Sequence, residues 1–392
     1  MTSLLRRVRG WLRRLDVRRL DERGAGSLEY AGAVMLVGVV LGTALVAAGT
    51  NDLLGPRVAH KLCQAYATLP GASAECVAPE QVVAGGEETP ATQEEIPYKD
   101  RRWTYDDVTS GPMVFVGDSY GSGEGAGDYT EESDRGPSWW DNLWNNDVPE
   151  NRCHRSANAW GVGIGDAHWP GNYSFEACSG AVTDDVENDN HDGNDGEGPQ
   201  GEVVDEDTSM IFVSMGGNDM GFGEVLTSCN QLHGGMEDCQ AHWDGVDPDD
   251  PQGRTRMEVR MAHLEADLRA MYRHLREQSA DGAHIVHMGY PPLFDEAYGG
   301  NFSTLSHDDA MWANEKGELL NAMMARVARE EGVHFIDPSE AFDGHGVGSD
   351  DPWILSFGVG ENRAFQPEAF HPNAEGQAAM QELVEDYLAG LP

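Results

Sequence analysis

Positive charge is scarce in this 392-residue chain: 26 Lys and Arg stand against 68 Asp and Glu, and lysine occurs only at Lys61, Lys99 and Lys316. Nucleic-acid binding draws its affinity from cations that displace counterions along the phosphate backbone, so a formal charge of −42 excludes that class of partner. Metal-type cysteine spacing is missing too. No Cys-x-x-Cys and no paired Cys/His spacing occurs, which argues against a structural zinc site. The glycine-rich run Gly121-Ser122-Gly123-Glu124-Gly125 is followed by no Gly-Lys-Ser/Thr, and Ala126 stands where a GxGxxG pattern needs its third glycine, so it is not a phosphate loop.

What cations there are lie together. Residues 1–23 hold eight arginines (Arg6, Arg7, Arg9, Arg13, Arg14, Arg18, Arg19, Arg23) and three acids, which leaves 18 basic and 65 acidic residues, a formal −47, in the remainder. An acidic, lysine-poor surface suits solubility in high salt and equally suits an extracellular protein of acidic habit. After the basic head, residues 30–49 carry no charge, about the length that crosses a hydrocarbon core as a helix. Arginines on its N-terminal side predict a cytoplasmic N-terminus and place everything after residue 50 outside, a single-pass membrane topology. The run Gly24-Ala25-Gly26-Ser27-Leu28-Glu29-Tyr30 resembles the processing site of Flp-type prepilins. That resemblance implies a prepilin peptidase cutting after Gly24, with Glu29 pairing with the next subunit's amino terminus in a pilus-type assembly; the alternative is an uncleaved signal anchor. The apolar run is longer than a secretory h-region and no A-x-A site follows it.

Six cysteines, Cys63, Cys76, Cys153, Cys178, Cys229 and Cys239, all follow the apolar run, and an even number on the exported side reads as disulfides. Sequence proximity favours Cys63 with Cys76, Cys153 with Cys178 and Cys229 with Cys239. The chain then divides into a head (1–23), a membrane helix with its processing site (24–50), a disulfide-containing segment and an acidic Pro/Glu/Thr tether (51–108), and a large domain (109–392).

Within that domain the texture is α/β. Continuous apolar runs at 113–116, 210–214, 284–288 and 333–336 suit buried parallel strands. Apolar residues three and four apart predict helices over 257–278 and 314–331, and a last helix covers 375–388. Alternation of this kind predicts a three-layer α/β/α sandwich around a mainly parallel sheet, with the site at the carboxyl ends of the strands. His284 and His287, three apart on a strand, fall on opposite faces as core or edge histidines. The stretch 184–207 is crowded with acids and holds no Lys or Arg, which reads as a solvated loop; Asp189, Asp192 and Asp195 do not fit an EF-hand, because Pro199 stands at the bidentate position. Trp139, Trp140 and Trp144 suit packing or the wall of an acyl pocket.

Four short blocks carry chemistry. Gly117-Asp118-Ser119-Tyr120 ends the first strand and presents a serine; Cys178-Ser179-Gly180-Ala181 is the second block; Gly216-Gly217-Asn218-Asp219 follows the strand at 210–214; Glu368-Ala369-Phe370-His371-Pro372-Asn373 precedes the last helix. In this order they resemble the SGNH hydrolases, also called the GDSL esterase/lipase family, and with Cys153-His154-Arg155-Ser156 they look like its secreted actinobacterial esterases and lipases. The resemblance spans about 111–390 and implies an SGNH-hydrolase, flavodoxin-like fold. It further implies Ser119 as nucleophile and His371 as general base, with an oxyanion hole made by the Ser119 and Gly180 backbone N–H groups and the Asn218 side-chain amide. It calls for no cofactor and no metal. One departure stands out. The family's aspartate three residues before the histidine is Glu368 here, so either the Glu368 side chain orients His371 or its backbone carbonyl does. Asp118 and Asp219 flank these positions as loop-fixing residues. The expected substrate is a lipid or other acyl ester; the alternatives are an O-acetylated carbohydrate, or a pilin-like surface protein that uses the domain as a binding module.

Overall fold

The computed structural model of the chain describes residues 101–136, 150–229, 238–279, 283–300, 305–356 and 368–392. The basic head, the apolar run, Gly24 and Glu29, Cys63 and Cys76, the tether up to residue 100 and the three tryptophans at 139, 140 and 144 lie outside the described residues. Among the described residues no helix is long and apolar enough to cross a membrane.

The chain enters through a short helix α1 (Tyr105–Val108) and runs into β1 (Met113–Gly117), buried at all five positions. A four-residue helix α2 (Ser119–Ser122) follows at once, then α3 (Trp160–His168) and β2 (Tyr173–Phe175). The strand β3 (Met210–Ser214) leads through α4 (Phe222–Cys229) and α5 (Cys239–Trp243) to the long α6 (Arg256–Gln278). The remainder is β4 (His284–Met288), α7 (His307–Glu330), β5 (His334–Ile336) and α8 (Ala374–Ala389). All strand pairs are parallel, in the order β2-β1-β3-β4-β5. This is the doubly wound order of a flavodoxin-like sheet, whose switch point lies between β1 and β3.

Helices cover both faces. On one, Trp160 of α3 lies edge-on to Phe115 and Phe212 at 4.6 and 5.7 Å between ring centroids, and Tyr387 of α8 stacks on His284. On the other, Tyr272 of α6 meets His287 Nδ1 at 2.5 Å, and a side chain added at Gly216 would meet Leu264 and Met324. The two histidines therefore sit on opposite faces, both buried, as their spacing required. Arg326 of α7 pairs with Glu265 of α6 and Arg269 of α6 with Glu330 of α7, and the two arginines together hold the Glu265 carboxyl down to about 2.

Three local features depart from the sequence reading. The strand β2 was not foreseen, because Tyr-Ser-Phe is half-buried and too short to show alternation. Helix α7 starts seven residues before the expected 314: Ser306 accepts the Asp309 N–H as its N-cap, ahead of the apolar periodicity. The stretch 184–207 is not simply solvated. It turns inward at Asn190 and Gln200, and the Gln200 amide exchanges two hydrogen bonds with the Gly117 backbone, 2.7 and 3.0 Å. Its acids hold neighbours in place: Glu197 takes Arg155, and Asp185 takes His191.

Cys153 pairs with Cys178 and Cys229 with Cys239, as sequence proximity indicated. The first bond closes a separation of 25 residues, so in the chain-entropy account it stabilises by about 3.5 kcal/mol. Replacing both Cys153 and Cys178 by Ala is expected to lower the thermal midpoint by several degrees, measured by calorimetry against the parent chain.

Candidate active site

The end of β1 positions Ser119, the expected nucleophile. Asp118 stops the strand and caps α2, its Oδ1 accepting the Tyr120 N–H at 2.9 Å, and its Oδ2 accepts the Tyr290 hydroxyl. The same Tyr290 oxygen accepts the Gly217 N–H at 2.7 Å, so one buried tyrosine links the loop after β1 to the loop after β3. Burial pushes the Asp118 carboxyl up to about 7 against the opposing hydrogen bonds from Tyr290 and Tyr120. Asp219 has a different partner, accepting Thr183 N–H at 3.1 Å and Thr183 Oγ1 at 2.6 Å. Both aspartates thus fix loops by side-chain hydrogen bonds.

Residues far apart in sequence converge here. Ser119 Oγ donates to His371 Nε2 at 2.7 Å. His371 lies two residues before the N-cap of α8, Asn373, and its strand-like surroundings are laced to 353–355. Phe370 N–H donates to Leu355 O at 2.7 Å, Leu355 N–H to His371 O at 2.9 Å, and Asn373 N–H to Trp353 O at 2.8 Å. Gly125 passes close beneath: with φ 91°, its missing side chain would lie 2.9 Å from Pro372 O and 3.2 Å from His371 Cβ. That is why the run after the serine is rich in glycine.

The third triad position needs correction. His371 Nδ1 donates to the backbone carbonyl of Ala369 at 3.1 Å, while the Glu368 carbonyl accepts the His371 backbone N–H at 3.2 Å. No hydrogen bond or ion pair joins the Glu368 side chain to His371 among the described residues, and Glu368 Oε2 is buried without a partner. The cause is backbone geometry: Phe370 adopts φ 64°, which reverses the chain and leaves the carbonyl two residues back beside the ring.

The three expected oxyanion donors line one cleft with Ser119 and His371. Among the described residues the Ser119 and Gly180 N–H groups have no acceptor, and Asn218 uses one of its two amide hydrogens on Ala181 O at 2.9 Å. Gly180 has φ 87°, and a side chain there would lie 2.4 Å from Asp192 Oδ2. The Cys153–Cys178 bond and the pairing of Cys178 N–H with Gly117 O fix this loop beside the end of β1. The cleft encloses about 930 Å³, at the upper end of the roughly 300–1,000 Å³ typical of small-molecule sites. Phe222, Leu226, Leu293, Phe294, Met311 and Phe342 form its apolar wall. Of the residues that hold Ser119, His371 and their loops, the sequence reading did not single out Tyr120, Tyr290 or Ala369. The only candidate metal cluster among the described residues, Cys229, Cys239 and Asp309, has both sulfurs in a disulfide.

A family model described as the GDSL-like lipase/acylhydrolase family matches residues 115–379. Lipase 1 of Streptomyces coelicolor is 29% identical over 270 residues, covering 68% of this chain and 82% of that protein. A lipase of Streptomyces rimosus is 28% identical over 266 residues with the same coverage, 68% and 82%. Among solved structures, phospholipase A1 from Streptomyces albidoflavus NA297 aligns with a TM-score of 0.53 at 28% identity, over 70% of this chain and 98% of that one. The extracellular lipase of Streptomyces rimosus aligns with a TM-score of 0.53 at 27% identity, over 70% and 99%.

The carbonyl orientation of His371 makes a sharp prediction. Glu368→Gln is expected to retain kcat within a few-fold, whereas in a carboxylate-dependent triad the corresponding change costs about 10⁴. Asn218→Ala, which removes an oxyanion donor, is expected to lower kcat by roughly 10²- to 10³-fold. Steady-state kinetics on one ester measures both.

Proposed function

Because the chain belongs to the GDSL-like lipase/acylhydrolase family and is a carboxylic ester hydrolase, we propose that its cleft hydrolyses lipid or other long acyl esters through a Ser119 acyl-enzyme. The observation that carries this is the 2.7 Å Ser119–His371 hydrogen bond inside a cleft with free oxyanion donors and an apolar wall. Ser119 Oγ attacks the ester carbonyl as its proton passes to His371 Nε2. Negative charge on the former carbonyl oxygen is met by the Ser119 and Gly180 N–H groups and by Asn218 Nδ2. As the tetrahedral intermediate collapses, His371 returns the proton to the departing alcohol. Water, deprotonated by the same imidazole, then releases the acid and restores Ser119.

The size of the cleft and its aromatic and aliphatic wall favour a long acyl chain over an acetyl group. Asp295, Glu296, Glu315, Glu318, Glu340 and Asp343 also line it, and among the described residues no Lys or Arg does, so a released carboxylate is repelled toward bulk solvent. Full-length protein is expected to cleave nitrophenyl esters of medium and long acids faster than the acetate, with Ser119→Ala inactive on all. Undiminished hydrolysis by Ser119→Ala sinks the mechanism, and a preference for acetylated xylan sinks the substrate class.

The domain reading extends this proposal to where the enzyme works. The eight-arginine head and the uncharged run at 30–49 support a single-pass anchor with the catalytic domain outside the cell, held off by the acidic tether. Processing after Gly24 by a prepilin peptidase would leave Ala25 as the mature N-terminus. Mass spectrometry of the native protein is expected to find that terminus, and a chain retaining Met1 or Thr2 refutes the cleavage.

A further inference from the structure

A carboxylate can follow an imidazole by rotating its own side chain. A backbone carbonyl cannot, because its direction is set by the dihedral angles of the turn that carries it. In this protein that turn is one the chain does not favour unaided: Phe370 sits at φ 64°, in the left-handed region that bulky residues avoid. Its ring packs on Phe294 at 5.3 Å, and its N–H donates to Leu355 O. The remaining backbone group, its carbonyl, accepts the hydroxyl of Tyr120 at 2.6 Å.

Tyr120 is the residue directly after the nucleophile. Its N–H is held by Asp118, its ring lies 5.1 Å from the imidazole of His371 and 5.0 Å, edge-on, from Tyr290, and its own carbonyl accepts Gln377 Nε2 of α8 at 3.0 Å. It therefore touches both halves of the Ser–His pair and is tied at both ends to the segment that carries the histidine. Burial pushes its hydroxyl well above the ordinary tyrosine range, so it remains a hydrogen-bond donor at any working pH.

We propose that Tyr120 is a positioning residue for the hydrolytic reaction: its hydroxyl clamps the Phe370 carbonyl and thereby holds the Ala369 carbonyl against His371 Nδ1, with Nε2 aimed at Ser119. This deepens the Ser119/His371 reading and rests on it.

Tyr120→Phe keeps the ring and removes only the hydroxyl. In the full chain it is expected to lower kcat about 10- to 100-fold on a nitrophenyl ester, since a misplacement on the order of 1 Å costs up to about 10² in rate. KM should stay within about twofold, because the acyl wall is untouched. Proton NMR supplies a second readout that needs no substrate. The downfield His371 Nδ1–H resonance, assigned by its absence in His371→Ala, is expected to broaden or vanish in Tyr120→Phe. It should persist in Tyr105→Phe, whose hydroxyl bonds His168 away from the cleft. The proposal is overturned by a kcat within twofold of the parent, by a reduced kcat with the resonance unchanged, or by a collapse of KM and thermal midpoint together, which marks a packing role. If the parent chain hydrolyses no ester, the proposed reaction fails, and the resonance then decides the clamp.

Discussion

The hydrolysis proposed for this protein depends on holding two side chains from opposite ends of the domain within a single hydrogen bond. Ser119 and His371 are 252 positions apart, yet Oγ and Nε2 lie 2.7 Å from each other. No local structure can enforce that distance. It is set by the central sheet, which delivers the serine at the carboxyl end of β1, and by α8, which packs against α3 on one face and begins three residues after the histidine. A five-residue strand buried at every position has no freedom to slide without exposing its apolar side chains, so the end of β1 is a fixed point. The oxyanion donors are referenced to the same point. Gly180 follows the disulfide beside β1, and Asn218 follows β3, β1's neighbour across the switch point.

Around this pair the structure uses buried polar groups that are linked in series. Asp118 joins the serine helix to Tyr290, Tyr290 joins it to Gly217 in the Asn218 loop, and Tyr120 joins it to Phe370 in the histidine turn. Through Tyr290 and Tyr120 these bonds connect three of the four sequence blocks. Groups of this kind are costly when unpaired, so the network is cooperative and resists the loss of any one member. The same coupling bears on how the histidine is oriented, since its Nδ1 donates to a backbone carbonyl. A carbonyl is a weaker anchor than a charge, and it serves only where the backbone beneath it is held rigidly.

Much of this was legible in the chain. Four of the five strands are visible as apolar runs bounded by glycine or by helix caps, and β3 and β4 coincide with their expected limits. Ser119, Gly180, Asn218 and His371 stand out because their four blocks, in that order, resemble those of the SGNH hydrolases. Glu368 misled because the residue three before the histidine is a carboxylic acid, and nothing local reveals that φ at Phe370 is positive, which brings the Ala369 carbonyl to Nδ1 instead. Gln200 was hidden for a similar reason. A lone amide within an acidic stretch looks solvated until the fold lays it along the backbone of Gly117.

Composition and periodicity by themselves determined that the chain is strongly acidic and that it forms a parallel α/β domain, and the family resemblance of four blocks pointed to a serine, a histidine and their donors. Those properties are local: charge counts, apolar runs and cap residues need no partner to be read. Only the tertiary structure decided which carbonyl orients the histidine, how Tyr120 and Tyr290 bind the blocks to one another, and how large the cleft is. Each of these depends on distances between residues scores to hundreds of positions apart or on the sign of a single backbone angle, and both emerge only when the packed sheet fixes where its strand ends lie.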